Sequence, residues 1–354
     1  MPTAAYRRTL YFIPAGPDKL NNQLFDSELA VLGTEFKAQA EEKELRLQTI
    51  DRWSPAAHRK EDVLVVWNHP DQGWLMRALY ALKYLGRRTK KFAVTRAELY
   101  QALHTFTQKI LVLSEPPVGL PYQYHKRKQL ASLYTKIFSV VDFKESGFEH
   151  VLMPYSFKDK RQRFFNVSKE KFLVMINSNA RPHGFWREER YSERLRAVRH
   201  FSAAPDFDLY GGRWDKPPFF PYWGYAADMR RNWRGEIPGG VADKLPILAK
   251  YKFSLCLENS VFPGYVDGRL VDCSIAGVVP IYLGAPDVTR YVPANCFIDL
   301  RNFKSYAELE KYLRAMPESE REAYRARGLN YFTTGRGAEL FSQRTFAEKL
   351  LNNL

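Results

Sequence analysis

An α/β fold built on parallel strands is what this chain predicts, and three observations carry that expectation. Short apolar runs recur between stretches of helical spacing, and such runs suit strands buried on both faces. The clearest runs stop at Pro, Gly or polar residues, as a strand does where it passes into a loop. One stretch, 251–286, holds a strand, a loop, a helix and a second strand in succession, the βαβ unit from which parallel sheets are assembled. With 354 residues the chain is long enough for two domains, each with its own core.

In chain order, residues 8–14 read as an opening strand and 27–43 as a helix. Further strands are expected at 45–53 and 62–67. Residues 71–85 carry Trp74, Leu75, Leu79, Leu82 and Leu85 at helical spacing and should pack on the sheet. A helix at 97–106 has Thr95 available as its cap. The strand at 109–113 delivers Ser114-Glu115-Pro116-Pro117 at its carboxyl end, where the prolines bar it from continuing. Another strand is expected at 133–140, before Met153-Pro154-Tyr155, and the charged stretch 158–171 reads as a linker.

The second half opens with a strand at 172–176 that ends in Asn177-Ser178-Asn179. A basic loop, a helix carrying Arg194, Arg199 and Phe201, and a strand at 207–210 closed by Gly211 follow. Residues 213–240 are rich in aromatics, Pro and Gly and lack periodicity, so they are irregular: a loop facing an acceptor, or a packed excursion. A short helix, 243–250, leads to the strand 252–257, which ends in Glu258, Asn259 and Ser260. Asp267 is expected to cap a helix at 268–276 that Gly277 stops, and 278–283 is the next strand. A strand at 296–300, a helix at 306–316 capped by Ser305, a helix opened by Pro317 and a last helix at 338–351 complete the chain.

The polar groups at the end of the 252–257 strand point to a chemistry. In open parallel sheets ligands sit beyond the carboxyl ends of the strands, facing helix N-termini. Glu258, Asn259, Ser260, Tyr265 and Arg269 gather there, with a helix dipole aimed the same way. A guanidinium and a helix N-terminus suit an anion, and a carboxylate and an amide suit hydroxyls, so the set fits a sugar joined to a pyrophosphate.

These residues also resemble a known family. Leu257-Glu258-Asn259-Ser260, Gly264-Tyr265-Val266, Ala276 through Pro280, Gly284-Ala285-Pro286, Tyr291-Val292-Pro293 and Phe297-Ile298-Asp299, continuing into the helix after Ser305, form a succession of about sixty residues. It resembles the donor-site motif of the alpha-1,3-fucosyltransferases. One departure stands out: where that family has Thr-Glu-Lys, this chain has Asp267-Gly268-Arg269. The resemblance implies the GT-B architecture, two Rossmann-like domains facing each other across a cleft. It divides the chain into an acceptor-binding domain (1–157), a linker (158–171), a nucleotide-sugar domain (172–335) and a terminal helix (336–354) that packs back on the first domain.

It further implies inverting transfer of fucose from GDP-fucose to an acceptor hydroxyl, with no metal and no cofactor beyond the donor itself. Glu115 would be the general base. Asn177, Ser178, Asn179, Arg194 (with Arg190 as runner-up), Glu258, Asn259, Ser260, Tyr265, Asp267 and Arg269 would hold the donor. His69 and Asp71 are the fallback bases. Gly268 leaves open a transferase using another nucleotide sugar, and a non-catalytic sugar-nucleotide-binding subunit is the alternative outside enzymes.

Composition narrows the classes. Apolar residues make up 45% of the chain, as in a globular protein, and no run approaches the ~20 apolar residues of a membrane helix. The first sixteen residues lack the apolar core of a signal peptide, and three cysteines in apolar segments of the second half suggest reduced thiols and a cytosolic setting. The formal charge of +15 invites a nucleic-acid reading, but the cations are scattered and no nucleic-acid module is visible. The expected partners are instead a nucleotide sugar and a glycan or lipid-linked acceptor, with peripheral attraction to anionic lipid.

Overall fold

Two all-parallel sheets organise the chain in the computed structural model, which describes residues 6–26, 32–70, 93–155, 164–183, 186–215, 231–237, 244–352 and 354. The first has six strands: β1 (Arg8–Ile13), β2 (Leu45–Thr49), β3 (Val63–Trp67), β4 (Gln108–Leu113), β5 (Lys136–Ser139) and β6 (Phe148–His150). Their order is β2-β1-β3-β4-β5-β6. The second has five: β7 (Lys171–Ile176), β8 (Phe207–Tyr210), β9 (Tyr251–Leu257), β10 (Val279–Leu283) and β11 (Ile298–Asp299), in the order β11-β10-β9-β7-β8. Every pairing between these strands is parallel. The apolar runs are buried as expected for strands covered on both faces, with Val63 through Val66 and Leu111 through Leu113 fully enclosed.

Among the described residues the α-helices are α1 (Thr34–Glu42), α2 (Arg96–Thr105), α3 (Pro121–His125), α4 (Arg127–Leu133), α5 (Tyr191–Phe201), α6 (Lys244–Leu248), α7 (Arg269–Ala276), α8 (Tyr306–Ala315), α9 (Glu318–Thr333), α10 (Arg336–Leu340) and α11 (Gln343–Leu351). Helix α2 begins with a capping box, the Thr95 hydroxyl accepting from the Glu98 N–H while the Glu98 carboxylate accepts from the Thr95 N–H. Helix α7 ends at Gly277, whose φ of +66° is the left-handed turn that a glycine tolerates without strain.

The chain divides into two compact units, Met1–Ser156 with Phe341–Leu354, and Phe157–Leu340. In the first, Leu10, Phe12, Val65, Ile110, Val112 and Phe138 form a core closed by Phe36 of α1 and by Phe346, Ala347 and Leu350 of α11. The Gln39 amide donates to the Arg344 carbonyl (3.2 Å), tying α1 to α11. In the second, Leu173, Met175, Leu209, Phe253, Leu255 and Ile281 pack with Val198 and Phe201 of α5 and Leu309 and Leu313 of α8.

Several expectations need correction. The helix expected at 338–351 is two helices, broken where the Ser342 hydroxyl accepts from the Thr345 N–H and starts α11 afresh. Helix α10 belongs to the second unit and α11 to the first. The strand expected at 45–53 stops at Thr49, where 50–52 turn into a 3-10 helix. The helix expected at 27–43 begins at Thr34, and 27–31, 71–85 and most of 216–243 lie outside the described residues. Helices α3 and α4 and the short strand β6 had no clear periodic signal.

Because Phe346 is 3% exposed and fills the first unit's core, Phe346→Ala should destabilise that unit by about 3–5 kcal/mol through lost burial and a cavity. Denaturant unfolding followed by a fluorescent probe in that unit would measure it. A loss below ~1 kcal/mol would mean that α11 is dispensable to the first core.

Candidate functional site

In the second sheet the strand order reverses at β7, which has β8 on one side and β9 on the other. Such a reversal leaves a crevice outside the carboxyl ends of the two central strands. A cleft of about 680 Å³ lies there, walled by Asn177 and Ser178 just beyond β7, Gly211 and Gly212 just beyond β8, Asp267 of the β9–α7 connection and Arg269 at the start of α7. Backbone crowding shapes it. Gly211 has φ +125°, and a Cβ on it would stand 2.2 Å from the Asn177 carbonyl oxygen, so no other residue fits. The Asn177 carbonyl also accepts from the Trp214 indole N–H (2.6 Å).

Arg269 is the wall's charged centre. Its Nη1 donates to Glu258 Oε2 at 3.2 Å and also pairs with Asp267. Glu258 has no exposed surface, and its other oxygen accepts from the Asp267 N–H at 3.1 Å. Burial pushes the Glu258 carboxyl up to about 7 against the pull of Arg269. Burial works against the charge on Arg269 as well, but Glu258 and Asp267 outweigh it and hold the guanidinium firmly protonated. Asp267 is half-exposed; desolvation opposes its ionisation, while Arg269 and the Gly268 N–H hold the carboxyl below its ordinary range.

Asp267 was expected to cap α7 and does not. Its Oδ1 accepts from the Gly268 N–H (2.7 Å), and the cap position itself is occupied by Gly268 with no side-chain cap. The reason is Arg269, which draws the second oxygen of Asp267 away from the amides of the first turn.

Behind this wall, Arg194 is 3% exposed and donates through Nη2 to the Leu257 carbonyl (3.0 Å) and to Asn259 Oδ1 (2.6 Å). Burial and the nearby Arg269 charge lower its pKa to about 10, so it stays cationic at neutral pH. Among the described residues nine buried side-chain polar atoms have no hydrogen-bond partner, and four of them cluster here: Asn177 Oδ1, Arg194 Nε, Ser260 Oγ and Arg269 Nε. Such groups are costly to leave unsatisfied, and their concentration at one strand-end crevice marks it as something other than a packed core.

The structure thus brings most of the expected donor residues into one place but gives them different stations. Asn177, Ser178, Asp267 and Arg269 wall the cleft. Arg194, Glu258, Ser260 and Tyr265 are buried behind it, and Asn259 faces Arg194. Asn179 turns its amide to the Arg213 carbonyl (3.2 Å). Arg190 donates to the Arg187 and Glu189 carbonyls. Arg213, Glu236 and Lys244 also wall the cleft and were not anticipated. Glu236 sits in an aperiodic stretch where no local pattern points to it.

In the first unit Glu115 is exposed at the carboxyl end of β4, its carbonyl bonded by the Tyr124 hydroxyl. The neighbouring strand ends are clamped together: Asn68 accepts from the Ser114 N–H (2.9 Å) and donates to its hydroxyl (2.9 Å). His69 is buried, its Nδ1 2.6 Å from the Tyr134 hydroxyl, and Asp71 lies outside the described residues.

Comparison with known proteins bears on the second unit directly. Residues 167–333 match the family model described as Glycosyltransferase family 10 (fucosyltransferase) C-term. The second unit belongs to that family. The chain is 31% identical over 91 residues to the alpha-(1,3)-fucosyltransferase FucT of Helicobacter pylori, covering 26% of this chain and 19% of that protein. It is 34% identical over 156 residues to the 4-galactosyl-N-acetylglucosaminide 3-alpha-L-fucosyltransferase 9 of Mus musculus, covering 44% of this chain and 35% of that protein. The matched stretches therefore span well under half of these relatives. A crystal structure of an alpha1,3-fucosyltransferase superposes with a TM-score of 0.54 at 14% identity, covering 100% of this chain and 93% of that one. That likeness supports the GT-B fold class. No helix among the described residues is long and apolar enough to cross a membrane.

The buried Glu258 makes stability pH-dependent with a definite sign. Its carboxyl holds a proton in the fold up to about 7 but only to about 4.5 when unfolded, so its contribution is complete below about 4.5 and is lost as pH rises through 7. Glu258→Gln cannot titrate and should lose that decline. Denaturation midpoints at pH 5 and pH 8 test this, and equal pH slopes in the two proteins would refute it.

Proposed function

We propose that the chain is an inverting fucosyltransferase that moves fucose from GDP-fucose to a hydroxyl of a glycan acceptor. The observation that carries the reading is the cleft at the strand reversal of a family 10 unit, with Arg269 beside the N-terminus of α7. A helix N-terminus and a guanidinium are the groups a diphosphate needs. The buried cation Arg194 lies behind the same wall and adds to the positive potential that favours a departing diphosphate.

In this mechanism the Glu115 carboxylate takes the proton of the acceptor hydroxyl as its oxygen attacks the anomeric carbon. The bond from that carbon to the diphosphate oxygen breaks on the opposite face, and the negative charge collects on the diphosphate. Protein cations then balance the leaving group, so the reading assigns the reaction no metal. Exposure of Glu115 at a strand end supports its role, because a base must reach the proton it removes. A second reading, transfer from another nucleotide sugar, is favoured by Gly268 standing where the resembled motif has a carboxylate.

Two variants test the proposal. Replacing Arg269 alone strands a buried carboxylate, so the double variant Arg269→Ala/Glu258→Gln keeps the interior neutral. It should weaken GDP binding about tenfold or more, measured by calorimetry on protein whose melting transition is intact. Glu115→Gln should retain GDP affinity and lose about 10²–10⁴ in transfer rate. Near-normal turnover would remove Glu115 from the chemistry. A donor screen in which another nucleotide sugar turns over faster than GDP-fucose would replace the donor.

A further inference from the structure

We propose that Glu236 reads the base of the donor nucleotide and makes the cleft select guanine. This rests on the nucleotide-sugar reading of that cleft. Glu236 is exposed, walls the cleft that holds Arg269, and forms no hydrogen bond or ion pair among the described residues. The other carboxylate among the described residues of the wall, Asp267, is committed to Arg269. Among the described residues Glu236 is therefore the acidic group left to meet a ligand at that end.

Its position is set by the backbone. Residues 232–235 run beside β8 as an added parallel bridge: the Leu209 N–H donates to the Asn232 carbonyl (2.9 Å), the Arg234 N–H to the Leu209 carbonyl (2.8 Å), and the Gly211 N–H to the Gly235 carbonyl (3.0 Å). Side chains hold the same segment, with the Trp233 indole bonded to the Gly211 carbonyl (2.9 Å) and Arg234 paired with Asp208. Glu236 follows directly and lies over Gly212, where an added Cβ would stand 2.7 Å from its Oε1. From the β9 end to this segment is three strand spacings, roughly 14 Å. That separation lets one extended nucleoside diphosphate put its phosphates at Arg269 and its base at Glu236.

A carboxylate only accepts hydrogen bonds, through two adjacent oxygens. Guanine offers a matching pair of donors, N1–H and the 2-amino group, on one edge. Uracil offers a single N–H flanked by two carbonyls that a carboxylate repels, and hypoxanthine lacks the 2-amino group. A site built to accept from a substrate N–H discriminates against an analogue without it.

The test is calorimetric titration of the full chain with GDP, IDP, UDP and 2′-deoxy-GDP. Wild type should bind GDP about tenfold more tightly than IDP, and Glu236→Gln should bring that ratio close to one while leaving the GDP to 2′-deoxy-GDP ratio unchanged. Gly212→Ala keeps the carboxylate but displaces it, and should lower the GDP to IDP ratio several-fold with Glu236 intact. If Glu236→Gln keeps the wild-type ratio, or instead abolishes only the 2′-deoxy difference, the base assignment is overturned while the nucleotide-sugar reading stands. Wild type preferring UDP to GDP, or binding neither, overturns both.

Discussion

A carboxylate with no exposed surface governs the geometry of the second unit. Glu258 leaves the end of β9 and is enclosed by the protein, an arrangement that costs several kcal/mol unless the charge is answered. The answers are the Arg269 guanidinium and the Asp267 amide, both at the entrance to α7. The strand, the connection and the first turn of the helix are thereby locked to one another. Even the next strand makes room: a Cβ on Gly284 would stand 2.5 Å from Glu258 Cγ. The same pairing explains how two guanidiniums, Arg194 and Arg269, share one locale, since Glu258 lies close enough to act on both.

That lock divides labour among residues that are alike in type. Arg269 reaches the cleft wall because Glu258 and Asp267 aim it there, whereas Arg194 is spent on a strand-end carbonyl and on Asn259. Glu258 does not line the cleft itself; it bonds to Arg269 and to the Asp267 amide, whose residues do. In the first unit the neighbouring strand ends are joined by amide and hydroxyl groups, Asn68 clasping Ser114 in both directions from a left-handed backbone at φ +56°. Neutral bonds suffice there because Asn68 and Ser114, just beyond β3 and β4, are only partly buried.

The places where expectation and structure part share a cause. Asp267 has the chemistry of a helix cap, but α7 starts one residue later than expected and Gly268 holds the cap position; the Asp267 oxygens go instead to the Gly268 N–H and to the guanidinium two residues on. The terminal helix was read as continuous because its apolar residues keep helical spacing across Phe341 and Ser342. The break comes from Phe341, 1% exposed, accepting at its carbonyl from the Tyr155 N–H (2.7 Å), a contact with the far end of the first unit. Local propensity is a weak constraint where such long-range bonds compete with it.

The sequence by itself determined every strand but β6, the α/β class, and the cluster from Glu258 to Arg269, because these rest on contiguous residues: apolar runs that must be buried, glycines that stop helices, and a motif read within one βαβ unit. It also placed Glu115 at a strand end, since a run of β residues closed by two prolines has only one reading. The tertiary structure alone decided which of the named residues face the cleft, which are buried behind it as supports, and that Gly212, Arg213, Glu236 and Lys244 join them. Those assignments follow from the β8-β7-β9 order and from a bridge between residues 209 and 233, pairings between segments distant in the chain. A local pattern cannot carry them, because hydrogen bonds between separate strands leave no period in the residues that make them.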